Sequence, residues 1–352
     1  MRVLDENGTG GTDGTDGISA IDMCALVYDR ESWGAYFRDL GGQAPAYLRA
    51  FGRHMTTVFG ADFAHYRRLL DAGDLDAAVE VLVANQPDDI DVPAHLRAMD
   101  EEGIAYQVLM GCSARLPDGD SVNTRVAAFA ARAPGRVEAW AGLNLSDPHA
   151  ALAELERCHA LGMRGVTVIA FRDGVEPQAP RYAAVFAAAE RLRLPVWIHT
   201  GHHLCTRRPN ELSHPRVIDA LAGRHPELRI VAGHGGWPWL HEMISVAQRH
   251  PHVFVEFSTH RASWMSRPGS GWEPFLLYGR STLRRKVMFG TATWVHSVPV
   301  RTLIREVAEL GLGEAVTHDW LLGNAQRLLG LEADRRLTAG SLGYSVDSGR
   351  TP

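Results

Sequence analysis

The sequence is short of several features that would otherwise direct its reading. Its four cysteines, Cys24, Cys112, Cys158 and Cys205, are scattered and form no CxxC pair, which suits a reducing compartment better than a disulfide framework. No dense Lys/Arg stripe is present: 36 basic residues face 41 acidic ones for a net charge of −5, so nucleic acid is not an expected partner. No apolar run is long enough to span a membrane, and the first residues lack the charged-then-apolar order of a signal peptide. The expectation is a cytoplasmic protein with no membrane partner. A Gly-rich phosphate fingerprint after the first apolar strand is also missing, which argues against a doubly wound open sheet built to hold a nucleotide.

What is present is a regular alternation. The 352 residues are 45% hydrophobic, enough for one large α/β domain or two smaller ones. Residues 1–17 are rich in Gly, Thr and Asp and read as a disordered arm. Apolar runs at 18–27, 105–112, 136–145, 165–170, 195–200, 229–234, 253–258 and 287–292 predict eight strands. Helical patterns separate them, several with clear ends, such as Asp147 as N-cap before Pro148 and Gly103 closing the helix from 92. The exception is a long insertion, about 28–90, with helical periodicity at 45–59, 62–72 and 74–85; it would be a lid or an oligomer contact. Eight strands alternating with helices at short spacing predict a (β/α)₈ TIM barrel, α/β in class, over 18–333, with a loose tail at 334–352.

In such a barrel the carboxyl ends of the strands share one mouth. There the chain places Cys24 and Leu26, Cys112, Asn144, His199, His234, Glu256 and Ala292. His199 and His234 end consecutive strands, and glycines follow both, at Gly201 and at Gly235 with Gly236. Imidazole at such a place suits proton transfer, metal binding or anion binding. A lone strand-end histidine is more often structural, but two at equivalent ends of neighbouring strands favour a shared site. Glu256, ending an apolar strand, is expected to be desolvated, with its pKa raised toward the range useful for acid–base work. Trp237, Trp239, His260, Arg261, Trp272, Trp294 and His296 follow later strands. Their aromatic faces suit a flat conjugated substrate, and Arg261 suits its anionic group. On the loop after the fifth strand, His202, His203, Cys205, Arg207, Arg208 and His214 read as polar or solvated residues.

The segments PVWIHTG, IVAGHGGWPW, FGT at 289–291 and LLGNAQRLLGL resemble the amidohydrolase-related barrels, a group that includes aminocarboxymuconate-semialdehyde and resorcylate-type decarboxylases. The resemblance implies a divalent metal, often zinc, held by His-x-His on strand one, histidines on strands five and six, and Asp on strand eight. His199 and His234 fall on two of those positions. The others are occupied by Cys24, Leu26 and Ala292, of which the last two have no donor atom. The expectation drawn from this is a degenerate metal site, with no cofactor bound. The function expected is acid–base chemistry of the lyase kind on a small unsaturated or aromatic carboxylic acid: decarboxylation, C–C cleavage, cyclisation or isomerisation. His199, His234 and Glu256 would be the catalytic set. Arg261, Trp237, Trp272, Trp294, His260, Cys24 and Asn144 would hold the substrate. Two alternatives stay open: a non-catalytic barrel that binds a ligand or supports an active paralogue, and a metal-dependent hydrolase using substitute ligands such as Cys24. A homo-oligomer is a further expected partner state.

Overall fold

The computed structural model describes residues 18–331, so the arm at 1–17 and the tail at 334–352 lie outside the described residues. Eight parallel strands run in chain order around the molecule: β1 (Ala20–Ala25), β2 (Ile104–Met110), β3 (Val137–Leu143), β4 (Gly165–Val168), β5 (Val196–His199), β6 (Ile230–Gly233), β7 (Val253–Glu256) and β8 (Val287–Met288). All are buried along almost their whole length, because helices cover the outer face and side chains fill the interior. The order and the parallel pairing are those of the (β/α)₈ barrel, as expected from the sequence.

The last join of the ring is made differently from the other seven. β8 has two residues, where the apolar run predicted six. Beyond it the chain keeps company with β1 through two backbone hydrogen bonds, Met23 N–H to Phe289 O at 3.1 Å and Ala292 N–H to Cys24 O at 2.8 Å. The side chain of Asp22 completes the seam. Fully buried, it accepts from Cys24 N at 3.0 Å, Thr291 N at 2.9 Å and Thr291 Oγ1 at 2.6 Å. A buried carboxyl group with no partner would be expensive; here three donors converge on it, and they lie on both sides of the seam.

The insertion after β1 is five helices: α1 (Arg30–Gln43), α2 (Pro45–Ala50), α3 (Gly52–Phe59), α4 (Phe63–Asp71) and α5 (Leu75–Val83). The last four match the expected periodic stretches, and α1 is additional. Asp29 caps α1 by accepting from Ser32 N at 2.7 Å. Its buried residues Trp33, Tyr36, Phe37 and Leu40 recur at helical spacing and form one aromatic face. That face meets the barrel mouth, with Phe37 6.2 Å from Trp294 between ring centroids and Phe51 5.8 Å from it. The insertion therefore roofs the mouth. No helix among the described residues is long and apolar enough to cross a membrane.

Replacing Thr291 with Val keeps the shape of the seam and leaves one Asp22 oxygen without its hydroxyl donor. The expected cost is about 1–3 kcal/mol of stability, read as a lower denaturant midpoint at unchanged slope. An unchanged midpoint would mean that the seam does not depend on this contact.

Candidate active site

A cavity of about 220 Å³ lies between the barrel mouth and the roof. Its floor is set by β5 and β6, whose ends pair in register, His199 opposite Gly233. Gly233 has no side chain for a local reason. A Cβ there would lie 2.0 Å from the Trp197 ring, so only glycine lets the indole pass beneath the next residue, His234. The two rings meet edge to face with centroids 5.1 Å apart. His234 itself has φ 64°, in the left-handed region that a non-glycine residue avoids. Strain of this kind marks functional positions more often than structural ones.

The structure brings the two imidazoles together. Their centroids are 4.9 Å apart at an interplanar angle of 73°, and both line the cavity. The Nδ1 of His199 lies 3.1 Å from Ser213 Oγ. The Nδ1 of His234 lies 2.8 Å from Ser258 Oγ and 3.2 Å from Ser258 O. A carbonyl oxygen only accepts, so Nδ1 of His234 carries the hydrogen and Nε2 keeps its lone pair. Burial holds the His234 pKa down at about 4, and burial together with the neighbouring imidazole holds His199 well below its usual range. Both rings are neutral near pH 7, and each disfavours a proton on the other.

Glu256 stands behind this pair. It is fully buried, and the cavity wall does not include it. Its carboxyl accepts from Trp197 Nε1 at 3.1 Å, from Ser258 Oγ at 2.9 Å and from the Ser258 amide. Glu256, expected in the catalytic set with the two histidines, connects to the cavity through the Ser258 hydroxyl and His234. Burial raises its pKa to about 7, as a carboxyl ending an apolar strand should show. Gly290 makes room for it, since a Cβ there would sit 2.6 Å from Glu256 Oε1. Sequence reasoning did not single out Ser258; a hydroxyl two residues after a strand-end carboxylate is the signal that was there to find.

The other expected site residues divide into two groups. Cys24, Trp237, His260 and Trp294 line the cavity. Asn144 does not: it is exposed and accepts from Ser146 N at 2.8 Å in its own turn. Trp272 packs behind Gly235 and 4.8 Å from the His260 ring, facing an outer depression. Arg261 faces the same depression and gives hydrogen bonds from both Nε and Nη2 to the Glu306 carboxylate. The expected hold on a substrate anion does not fit this placement: two of its donors are engaged by Glu306, and the cavity wall does not include the residue. The wall instead carries residues the sequence left unremarked, among them Tyr28, Tyr36 and Tyr47 from the chain after β1, and Phe171 and Arg172 after β4.

Comparison with known proteins bears on this arrangement. The family model described as Amidohydrolase matches residues 44–331, and the chain belongs to that family. Gamma-resorcylate decarboxylase of Rhizobium radiobacter is 29% identical over 177 residues, which are 40% of this chain and 54% of that protein. The chain thus matches about half the length of the curated relatives. Among solved structures, an uncharacterized TIM-barrel protein from Bordetella bronchiseptica superposes with a TM-score of 0.61 at 22% identity, over 89% of this chain and 99% of the other. A dihydroxybenzoic acid decarboxylase from Polaromonas superposes with a TM-score of 0.55 at 17% identity, over 91% of this chain and 99% of that one. These likenesses establish the barrel.

The Polaromonas structure holds bound manganese and the inhibitor 2-nitroresorcinol, and other decarboxylases of this fold also hold manganese. The expectation that no cofactor belongs to such a site is corrected by them: they point to a metal ion. The donors of this chain were tested against such an ion. Cys24, His199 and His234 reach the cavity, and Leu26 and Ala292 offer only hydrocarbon. Among the described residues no group of three or more His, Cys, Asp or Glu is arranged to hold an ion. The donors present are therefore not placed as the three protein ligands that such sites use.

The raised pKa of Glu256 has a consequence for stability. The folded protein binds this proton more tightly than the unfolded chain, whose value is 4.5 against about 7 in the fold. Its contribution is therefore fully present below pH 4.5 and lost as pH rises toward 7. Glu256→Gln removes that dependence, so the variant should gain stability relative to the parent between pH 4.5 and 7. Denaturant unfolding of both proteins across that range checks it, and a constant difference would contradict the assignment.

Proposed function

We propose that this chain is a lyase that decarboxylates a small aromatic carboxylic acid by acid–base chemistry at His234 and His199. The observation that carries the reading is the neutral His234 imidazole. It is oriented by Ser258, leaves Nε2 as the ring nitrogen that is free to work, and is packed edge to face on His199 within an aromatic cavity. Family membership supports it, as do the names of the relatives, which are decarboxylases of hydroxylated benzoic acids.

The chemistry follows from the protonation states. A hydroxybenzoic acid enters as its carboxylate, between ring faces such as Trp294, Trp237 and Phe171. The lone pair on His234 Nε2 takes the phenolic proton, which pushes electron density onto the ring carbon that bears the carboxylate. The imidazolium so formed is a strong acid, because burial disfavours its charge. It delivers the proton to that carbon. The C–C bond to the carboxylate then breaks, its electron pair returns to the ring, and carbon dioxide leaves. Solvent supplies one proton to the phenolate, which completes the balance of acid anion plus proton to phenol plus carbon dioxide. During the cycle the Ser258 hydroxyl and the Glu256 carboxyl, half-protonated near neutral pH, buffer the charge on His234. His199 excludes a second charge and faces the same substrate edge.

The substrate range belongs to this proposal, as does the roofing helical insertion as a lid. A panel of mono- and dihydroxybenzoic acids, followed by loss of acid absorbance and release of carbon dioxide, tests it. At least one acid should turn over, and His234→Ala and His199→Ala should each slow it by about 10²- to 10⁴-fold, the scale of general acid–base catalysis. Equal rates in the parent and both variants would overturn the assignment.

A further inference from the structure

We propose that Arg172 is the residue that anchors the substrate's carboxylate and so makes the cavity selective for anionic aromatic acids. The proposal rests on the reading above that the ligand is an aromatic acid. Among the residues that line the cavity, Arg172 is the one guanidinium, and no ammonium or carboxylate side chain joins it; the rest are apolar, hydroxyl, thiol or imidazole groups. An ionised carboxylate leaving water for such a place needs a cation with free donors.

Two arginines compete for that task, and their surroundings decide between them. Arg261 forms a two-point hydrogen-bonded pair with Glu306 in the outer depression. Arg172 is 6% exposed and sits on the short helix Ala170–Asp173 after β4. Its neighbouring carboxylates stand at long ion-pair distances, Asp39 Oδ2 at 3.4 Å from Nη1 and Asp173 Oδ1 at 3.6 Å from Nε. The hydrogen bond its guanidinium gives is a long one, 3.9 Å from Nη1 to Cys112 Sγ.

The two carboxylates do not cancel it. The Asp39 side chain, on α1, is a third exposed and screened by water. Asp173 is turned to the backbone, its Oδ2 accepting from Leu145 N at 2.7 Å, while its Oδ1 has no hydrogen-bond partner among the described residues. Burial also pushes the Asp173 carboxyl up. A planar guanidinium whose contacts with these neighbours are all long, 3.4, 3.6 and 3.9 Å, is suited to fork onto an incoming carboxylate. Because Asp39 belongs to the roof, the anchor also ties the insertion to the acid-binding end of the cavity.

Titration calorimetry with 2,6-dihydroxybenzoate and with the matching uncharged 2,6-dihydroxybenzamide tests this without relying on turnover. The parent should bind the acid at least about 10-fold more tightly than the amide, the scale of one charge-assisted pair. Arg172→Met should erase that preference, and Arg261→Met should keep it. Arg172→Lys, which keeps the charge and loses the fork, should weaken acid binding about 3- to 10-fold and leave the amide unchanged. If the methionine variant does not fold, the lysine variant decides. A parent that does not discriminate, a preference that survives Arg172→Met, or full acid affinity in Arg172→Lys would overturn the proposal. Acid-selective binding without decarboxylation would leave the anchor standing and remove the lyase reading instead.

Discussion

The site exists because Asp22 closes the ring. A barrel of eight strands has seven ordinary joins and one that must return to its beginning, and here the returning strand supplies only two residues. The shortage is made up by a carboxyl group that collects three hydrogen bonds out of reach of water. Two of those donors, the amide and hydroxyl of Thr291, come from the segment that also carries Gly290 and Ala292. The former leaves space for Glu256, and the latter lines the cavity with the imidazoles. Closure and site thus share the same few residues.

From the closed ring the polar centre follows by packing. Bare backbone at Gly233 admits the Trp197 indole, the indole and Ser258 satisfy Glu256, and Ser258 fixes the tautomer of His234. Glu256 and Ser258 are buried, His234 is half-buried, and each has a partner, the condition under which a low-dielectric interior strengthens a network rather than penalising it. The outcome is a neutral imidazole in a largely apolar cavity, linked through Ser258 to a carboxyl group whose proton is held near neutral pH. Two carboxyl groups, Asp22 and Glu256, are thus spent on architecture and orientation rather than on direct contact with a ligand.

Much of this was legible in the sequence, and the reasons are specific. The alternation of apolar runs and helical patterns fixed the barrel, because strands buried on both faces leave a signal that periodicity can read. His199 and His234 stood out because they end consecutive strands. The burial of Glu256 could be inferred from its place on an apolar strand, but not its position behind the wall, which depends on how the Trp197 ring lies. Arg261 and Arg172 look equivalent as letters; what separates them is that Arg261 pairs closely with Glu306, 45 positions away in the chain, outside the cavity, while Arg172 lines it. Helix α1 was missed because Gly34, Gly41 and Gly42 lower its helical propensity, although its apolar residues keep the helical period. The cofactor expectation failed for another reason: missing donors at family positions say which residues are absent, and do not by themselves say what the fold holds.

The account turns on where a proton goes. When the proposed reaction is run in deuterium oxide with each hydroxybenzoic acid of the panel, mass spectrometry and proton magnetic resonance of any phenol formed read its destination. Transfer through His234 to the ring predicts one deuterium per product molecule, at the carbon that lost its carboxylate. A product without deuterium at that carbon, or an acid recovered intact from every member of the panel, would contradict it.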